Sequence, residues 1–409
     1  MDAAAANPLQ ESDLQGWKYF RRLRPLLARL HDAGCARDKA GNRQLHLDQY
    51  CALILLALFS PLARSLRGLS QASGLRKVQE KLGVPRASLG SLSEAAHVFD
   101  PDLLVPLIQE LAGELVPTAT DPRFKDVRHL ITAVDSTLVK TLPCLTAAMW
   151  SKTKNGQTRH YWRLHAHFEV DRHIPVRLDA TDPSSRDGSD EKDVLRQHLQ
   201  ADHCYLMDRW FAQFTLFDAI VEAQSSYVCR LRDNSHFAIT EERPLTEAAH
   251  AAGVVQDAVV QLGMGSKPAA RPRHPVRLVI VTTTPHAKRG GRKGKTAGPP
   301  SKGQLLLATS LLDVPAEIIA LLYRHRWLIE IFFRFFKHVL GCQHLLSACP
   351  EGIAIQAYCA LIACLLISLW TGRKPTLRTF EMLCWYFLGW ATEEELLAHL
   401  EKLKRQTAK

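Results

Sequence analysis

The sequence predicts an α/β chain in which a mixed sheet flanked by helices lies between a helical N-terminal region and a helical C-terminal one. Three observations predict it. Apolar residues follow helical spacing through residues 14–117. From about residue 128 they gather instead into short runs of strand character separated by polar turns. Helical spacing then returns near residue 323 and leads into a long apolar stretch over 353–370. With 409 residues and 46% hydrophobic content, the chain is long enough for two or three domains with a substantial core, and its composition is that of a folded protein.

Each element follows from its local pattern. The N-terminal region opens with a basic stretch (Lys18, Arg21, Arg22, Arg24, Arg29) and contains an apolar run over 51–59. Two short helical patterns between Arg64 and Phe99, broken near Gly83-Val84-Pro85, are compatible with a helix-turn-helix-like unit. Residues 129–134 form a short apolar strand ending in Asp135. Runs over 163–170 and 174–180, on either side of Asp171-Arg172-His173, predict a hairpin. A polar stretch over 182–193 leads to a short helix at 194–199 and then to a strand at 204–207 ending in Asp208. A helix over 211–223 and a strand over 227–231 follow. From Asp233 to about Gly303 the pattern is interrupted by a segment with a strand at 276–283 and a loop at 286–302 rich in Gly, Lys and Arg. Residues 305–309 would return the chain to the sheet. In the tail from Lys374 onward, Leu377, Phe380, Leu383 and Phe387 recur at helical spacing, as expected of a helix that packs on the core or forms a dimer surface.

A net charge of +11 and a pI near 9.2 point to a polyanionic partner, although charge alone does not identify one. Ten cysteines without a CxxC pair suit a reducing compartment, and the N-terminus lacks a basic region followed by an apolar stretch, so a cytoplasmic protein is expected. The apolar stretch over 353–370 reaches the length of a membrane span, but with Gln356 and Ser368 inside it a buried core helix is the better expectation. Several weaker signals lead nowhere. Gly294-Lys295-Thr296 resembles part of a phosphate-binding loop, yet the required first Gly would fall at Arg289. Lys288, Arg289, Arg292, Lys293, Lys295 and Lys302 make either a solvated loop or a track for a nucleic-acid backbone. His165 and His167 share a strand face and are expected as a half-exposed structural pair. Cys342 and His344 lack a second pair at zinc spacing.

The most informative run is LLYRHRWLIEIFFRFFK, over residues 321–337. On one helix, at roughly 100° per residue, Tyr323, Arg326, Glu330 and Lys337 fall within about 60° of one another. Trp327, Arg334 and His338 lie just outside that arc, while Leu328, Ile329, Ile331, Phe332, Phe333, Phe335 and Phe336 fill the opposite one. One carboxylate among several cations suits a site that holds a divalent metal beside a polyanion. Asp135-Ser136-Thr137 and Asp208-Arg209-Trp210-Phe211 add two carboxylates, each at a strand end.

The spacing Tyr, two residues, Arg, three residues, Glu, six residues, Lys resembles the YREK signature of bacterial DDE transposases of insertion-sequence family four and the transposon-five group. The two aspartate motifs resemble that family's first and second, with Trp210 standing where a small residue is usual. The resemblance covers roughly residues 60–372. It implies a ribonuclease-H-like catalytic core over 121–345, interrupted at 233–303 by a β-rich insertion, between a DNA-binding helical region over 1–120 and a helical region over 346–409. It implies that Asp135, Asp208 and Glu330 are catalytic and hold two Mg²⁺ ions, with Mn²⁺ a plausible substitute. Tyr323, Arg326, Lys337, Trp327, Arg334 and Arg209 would then contact double-stranded DNA, both the terminal inverted repeats of a transposon and the target. The implied activity is cut-and-paste transposition, in which metal-dependent cleavage at the transposon ends is followed by 3′-hydroxyl strand transfer. The implied assembly is a homodimer on DNA, associated with the nucleoid. The alternatives are a ribonuclease-H-fold nuclease that cuts without joining and a domesticated, non-catalytic DNA-binding protein. Some relatives flip a base onto an aromatic side chain, but residues 233–303 contain only Phe237 for such a role.

Overall fold

A computed structural model describes residues 25–33, 38, 43–60, 62–115, 121–141, 149–152, 158–181, 190–265, 271–283, 303–341, 345–347, 349–371 and 376–407. The loop at 286–302, Cys342, His344 and the basic residues before Pro25 lie outside them.

Among the described residues, ten strands form one sheet: β1 (Leu130–Thr141), β2 (Met149–Lys152), β3 (Thr158–Glu169), β4 (Ile174–Thr181), β5 (His203–Met207), β6 (Ser226–Arg230), β7 (Phe237–Glu242), β8 (Val254–Leu262), β9 (Val276–Thr282) and β10 (Gln304–Thr309). Their order is β2-β3-β1-β5-β6-β10-β9-β8-β7, with β4 also paired to β3. β2 meets the first residues of β3 and β4 the remainder, so both lie along its outer side. The centre has the expected ribonuclease-H-like arrangement, in which β1 pairs antiparallel with β3 and parallel with β5, and β5 pairs parallel with β6. Cys204, Tyr205, Leu206 and Met207 of β5 are all fully buried, as a parallel strand covered on both faces requires. The expected β3–β4 hairpin is present, with His173 in its turn at φ 56°.

The expected single strand of the interruption is in fact three. β7, β8 and β9 are antiparallel neighbours, and β9 pairs with β10, so they extend the central sheet itself. Burial explains why only β9 was legible: Val276 to Val281 is a continuous buried run, whereas β7 is mostly exposed and its charged residues mask the strand pattern.

The helix Pro350–Thr371 is the hub of the helical side. It packs on β4 and on the helices Leu47–Phe59, Leu89–Val98 and Val105–Gly113. A helix surrounded on every side has no solvent face, which accounts for its having apolar residues all round rather than along one stripe. It is long and apolar enough to cross a bilayer, yet 89% of that window is buried inside the structure. Gly352 permits the close approach of its first turn, since a Cβ there would stand 2.7 Å from Ala96. Between Ser65 and Phe99 there are three short helices rather than two, Leu66–Ser73, Arg76–Leu82 and Leu89–Val98, with Gly83 ending the second at φ 67°. In the tail helix Leu377–Phe387, Phe380 and Leu383 are buried, and the Phe380 ring lies 5.8 Å from Phe59 and 6.0 Å from Phe335. Its apolar side is therefore spent on the core, while Leu377 stays exposed.

One buried ion pair ties the added strands to the rest. Arg277 of β9 donates to both oxygens of Asp257 of β8 at 2.7 Å, and also to the carbonyls of Leu311, Leu312 and Val314. Those carbonyls lie just before the helix Ala316–His325, so the pair fixes where that helix begins. Removing one partner of such a pair leaves a buried charge uncompensated. Arg277→Met is therefore expected to lower the unfolding free energy by about 3–5 kcal/mol in urea titrations, with Asp257→Asn/Arg277→Met recovering much of the loss.

Candidate active site

The two aspartates become neighbours through strand register. β1 and β5 run parallel with Ala133 opposite Leu206, and Asp135 and Asp208 each stand two residues beyond that pair, on the same face. Contrary to the expectation that Asp135 closes its strand, β1 continues to Thr141 and stays paired with β3 throughout. It is β5 that ends, at Met207. Asp135 therefore sits at a notch in the sheet, with β3 holding one side of its backbone and the other side open.

Glu330 reaches this notch from the helix Trp327–Arg334, which packs against β1 and β3. The run from Tyr323 to Lys337 is not the single regular helix expected from its spacing. Ala316–His325 and Trp327–Arg334 meet at Arg326, where the backbone tightens to Arg326 N–H donating to Tyr323 and Ile329 N–H donating to Arg326. A π-helical turn, Phe335–Val339, follows. The tight turn places Arg326 between the acids. Its Nη1 donates to Asp135 Oδ2 at 3.3 Å and its Nη2 donates to Glu330 Oε1. The Arg326 guanidinium also lies 5.9 Å from the Tyr323 ring centre.

The remaining candidates are spread around this centre. Lys337 is half-buried on the π turn, and burial lowers its ammonium pKa. Trp327, Arg334 and His338 are exposed, as is Arg209 beside Asp208. Burial holds the Tyr323 hydroxyl pKa above its usual value. On the apolar side, Ile329, Phe332, Phe333, Phe335 and Phe336 are buried, but Ile331 is exposed, because on the helix it borders the polar arc next to Trp327. His165 and His167 are buried rather than half-exposed, and burial lowers their pKa values to about 4 and about 3.

Electrostatics link the three acids. Burial pushes the Asp135 carboxyl up to about 6. The Ser136 N–H and the Arg326 charge oppose that rise, and the charges of Asp208 and Glu330 reinforce it. Two aspartates and a glutamate offer only oxygen donors, the set that hard divalent cations take, and a cation there would offset both the burial that chiefly drives Asp135 toward its neutral form and the smaller repulsion from its acidic neighbours. The donor set therefore fits divalent ions. Among the described residues, one group of three side chains brings ligand atoms within 4.8 Å of one another, namely His31, Asp32 and His46. The rings of His31 and His46 stack at 3.8 Å with 13° between their planes, so an ion between them would lie far out of both ring planes. That geometry suits stacking better than ligation.

Glu191 carries no sequence signal, because an acid in the first turn of a short helix is commonplace. Nevertheless it is buried beside both aspartate motifs, accepting from Ser136 Oγ at 2.7 Å and from Trp210 Nε1 at 2.9 Å. The indole at Trp210, unusual for the resembled motif, thus has a partner that accounts for it.

Residues 127–366 match the family described as Transposase DDE domain. The chain is 27% identical over 261 residues to a putative transposase, y4zB, of Sinorhizobium fredii, covering 63% of this chain and 66% of that protein. It is 26% identical over 206 residues to the probable transposase for insertion sequence element IS5377 of Geobacillus stearothermophilus, covering 50% of this chain and 48% of that protein. The chain thus spans less than two thirds of either relative's length. Among solved structures, a piggyBac transposase synaptic complex with hairpin DNA aligns at a TM-score of 0.40 and 11% identity, over 95% of this chain and 84% of that one, a likeness too slight to argue from.

An acid whose pKa is raised by folding destabilises the fold when ionised, and this cost vanishes once the unfolded chain is protonated as well. In metal-free protein, Asp135→Asn is expected to raise the melting midpoint at pH 7.5. The gain should shrink as pH falls through about 6 toward the ordinary carboxylate range, a trend that melting curves taken across pH would check.

Proposed function

The chain belongs to the Transposase DDE domain family, and from that membership we propose that it is a cut-and-paste DNA transposase of the YREK group of insertion sequences. The observation that carries this reading is the contact of Arg326 with both Asp135 and Glu330, across 191 residues of sequence in the first case. This contact brings acids of the first and third motifs to one place, with a cation between them.

In this reading Asp135, Asp208 and Glu330 would together hold two Mg²⁺ or Mn²⁺ ions. Bound there, the ions supply activation of the attacking oxygen and stabilisation of the leaving one. Arg326 turns its planar fork from the carboxylates to a DNA phosphate, Lys337 adds a point charge, and Tyr323 donates its hydroxyl. Trp327, Arg334 and Arg209, all exposed, lie along the strand being cut. Water attacks first and frees a 3′-hydroxyl at the transposon end, and that hydroxyl then attacks target DNA. The helical region over 1–120 recognises terminal inverted repeats, residues 121–345 carry the chemistry with 233–303 as insertion, and two copies act together on DNA in the cytoplasm, at the nucleoid. A nuclease without strand transfer is the second reading, since the same acids serve hydrolysis alone.

Asp135→Ala, Asp208→Ala and Glu330→Ala are each expected to abolish cleavage of transposon-end duplexes while binding in gel shifts is retained; a variant that still cuts would overturn the assignment. A pre-cut end bearing a 3′-hydroxyl separates the two readings, because a transposase joins it to target DNA and a nuclease does not. Without DNA, Arg326→Ala is expected to bind Mn²⁺ roughly ten- to a hundredfold more tightly by calorimetry, as the competing charge-assisted bonds are gone.

A further inference from the structure

The geometry points to Glu191 as the positioning residue that sets the separation of Asp135 and Asp208, and so the spacing of the metals they would hold. This inference rests on the transposase reading above. The bonds form one chain from acid to acid. The backbone N–H of Ser136 donates to Asp135 Oδ1 at 2.8 Å, and the Ser136 hydroxyl donates to Glu191 Oε1 at 2.7 Å. On the other arm, the backbone N–H of Trp210 donates to Asp208 Oδ1 at 2.8 Å, and the Trp210 indole donates to Glu191 Oε2 at 2.9 Å. Each aspartate thus has one oxygen held by the backbone of a residue whose side chain Glu191 holds. The second oxygen of each is left to the site, where Asp135 Oδ2 meets Arg326.

The surroundings suit this role. Arg163 of β3 donates to Glu191 Oε2 at 3.2 Å, so the buried carboxylate is paired with a guanidinium as well as with the serine and indole donors. Lys192 sits 4.7 Å above the Trp210 ring and bonds Asp190 at 3.1 Å, which clamps the indole from its face while Glu191 holds its edge. Glu191 lies at the start of the helix Glu191–Gln197, which packs on β1 and on the helix Phe214–Glu222. β1 and β5 are in register only as far as Ala133 and Leu206, so beyond that point no ladder bond fixes the distance between the two aspartates. The Glu191 chain spans that gap.

Groups that orient metal ligands from behind typically cost ten- to a hundredfold in metal affinity when removed. In the full chain, Glu191→Gln and Glu191→Ala are expected to weaken Mn²⁺ binding about tenfold or more, read from the free-ion electron paramagnetic resonance signal, and to raise the Mg²⁺ concentration for half-maximal cleavage by a similar factor. Trp210→Phe keeps the ring and loses only the N–H, so it should move the same two readouts less, and adding it to Glu191→Gln should change little further. A purely structural role would lower the active fraction at every metal concentration without shifting the titration. The inference is overturned if Trp210→Phe and Glu191→Gln fold with unshifted Mn²⁺ titrations, or if their effects simply add. Should Asp135→Ala and Asp208→Ala still cleave, the transposase reading itself fails; should they abolish cleavage while the Glu191 variants titrate normally, only this inference does.

Discussion

Holding Asp135, Asp208 and Glu330 close to one another against their mutual repulsion, in a half-buried place, is the constraint on which the architecture around the notch depends. The Asp135 carboxyl registers the strain most directly, raised to about 6 by burial and by its acidic neighbours. The chain answers with several compensations at once: the Arg326 guanidinium between two of the acids, backbone N–H groups aimed at Asp135 and Asp208, and a fourth carboxylate, Glu191, gathering the donors behind them. A carboxylate cluster with this little counter-charge is a poor device for stability and a good one for receiving cations.

Rigid elements make that arrangement possible. Pairing of β1 with β5 brings the two aspartates side by side just beyond their last paired residues, and the early end of β5 opens a notch without loosening β1, which β3 continues to hold. The third acid comes from a helix whose approach is fixed twice. Its apolar residues seat against the sheet, and the segment leading to the preceding helix is pinned by the Arg277–Asp257 pair. Strands β7, β8 and β9 are therefore not a loose addition, because their buried charge pair helps set where the Tyr323 and Arg326 segment starts. On the opposite side, the predominantly apolar helix Pro350–Thr371 gathers the N-terminal helices onto β4.

Legibility in the sequence varied with the origin of the signal. Strands buried on both faces, such as β5 and β9, announced themselves as apolar runs, and the hairpin at Asp171-Arg172-His173 was visible from its turn residues. β7 and β8 were hidden, because strands with an exposed face interleave charged residues that imitate a loop. The extension of β1 beyond Asp135 was missed for a similar reason, since Asp-Ser-Thr resembles a turn until β3 pairs with it. The spacing around Tyr323 put Arg326 and Glu330 on one helix face, while the tight backbone at Arg326, from which the guanidinium reaches Asp135, has no local signature.

By itself the sequence determined the family and the order of the central strands from β3 to β6, because motif spacing and hydrophobic periodicity are local properties that a short window of chain expresses. It also singled out the residue types suited to metal-assisted phosphoryl transfer. Only the tertiary structure decided that Asp135 stands beside Asp208, that Arg326 lies between Asp135 and Glu330, that His165 and His167 are buried neutral, and that Glu191 reaches both aspartate motifs. Those outcomes depend on which strands pair and where one strand ends before its neighbour. Desolvation and charge proximity are properties of that packing, acting between residues far apart along the chain, and no local window of sequence contains them.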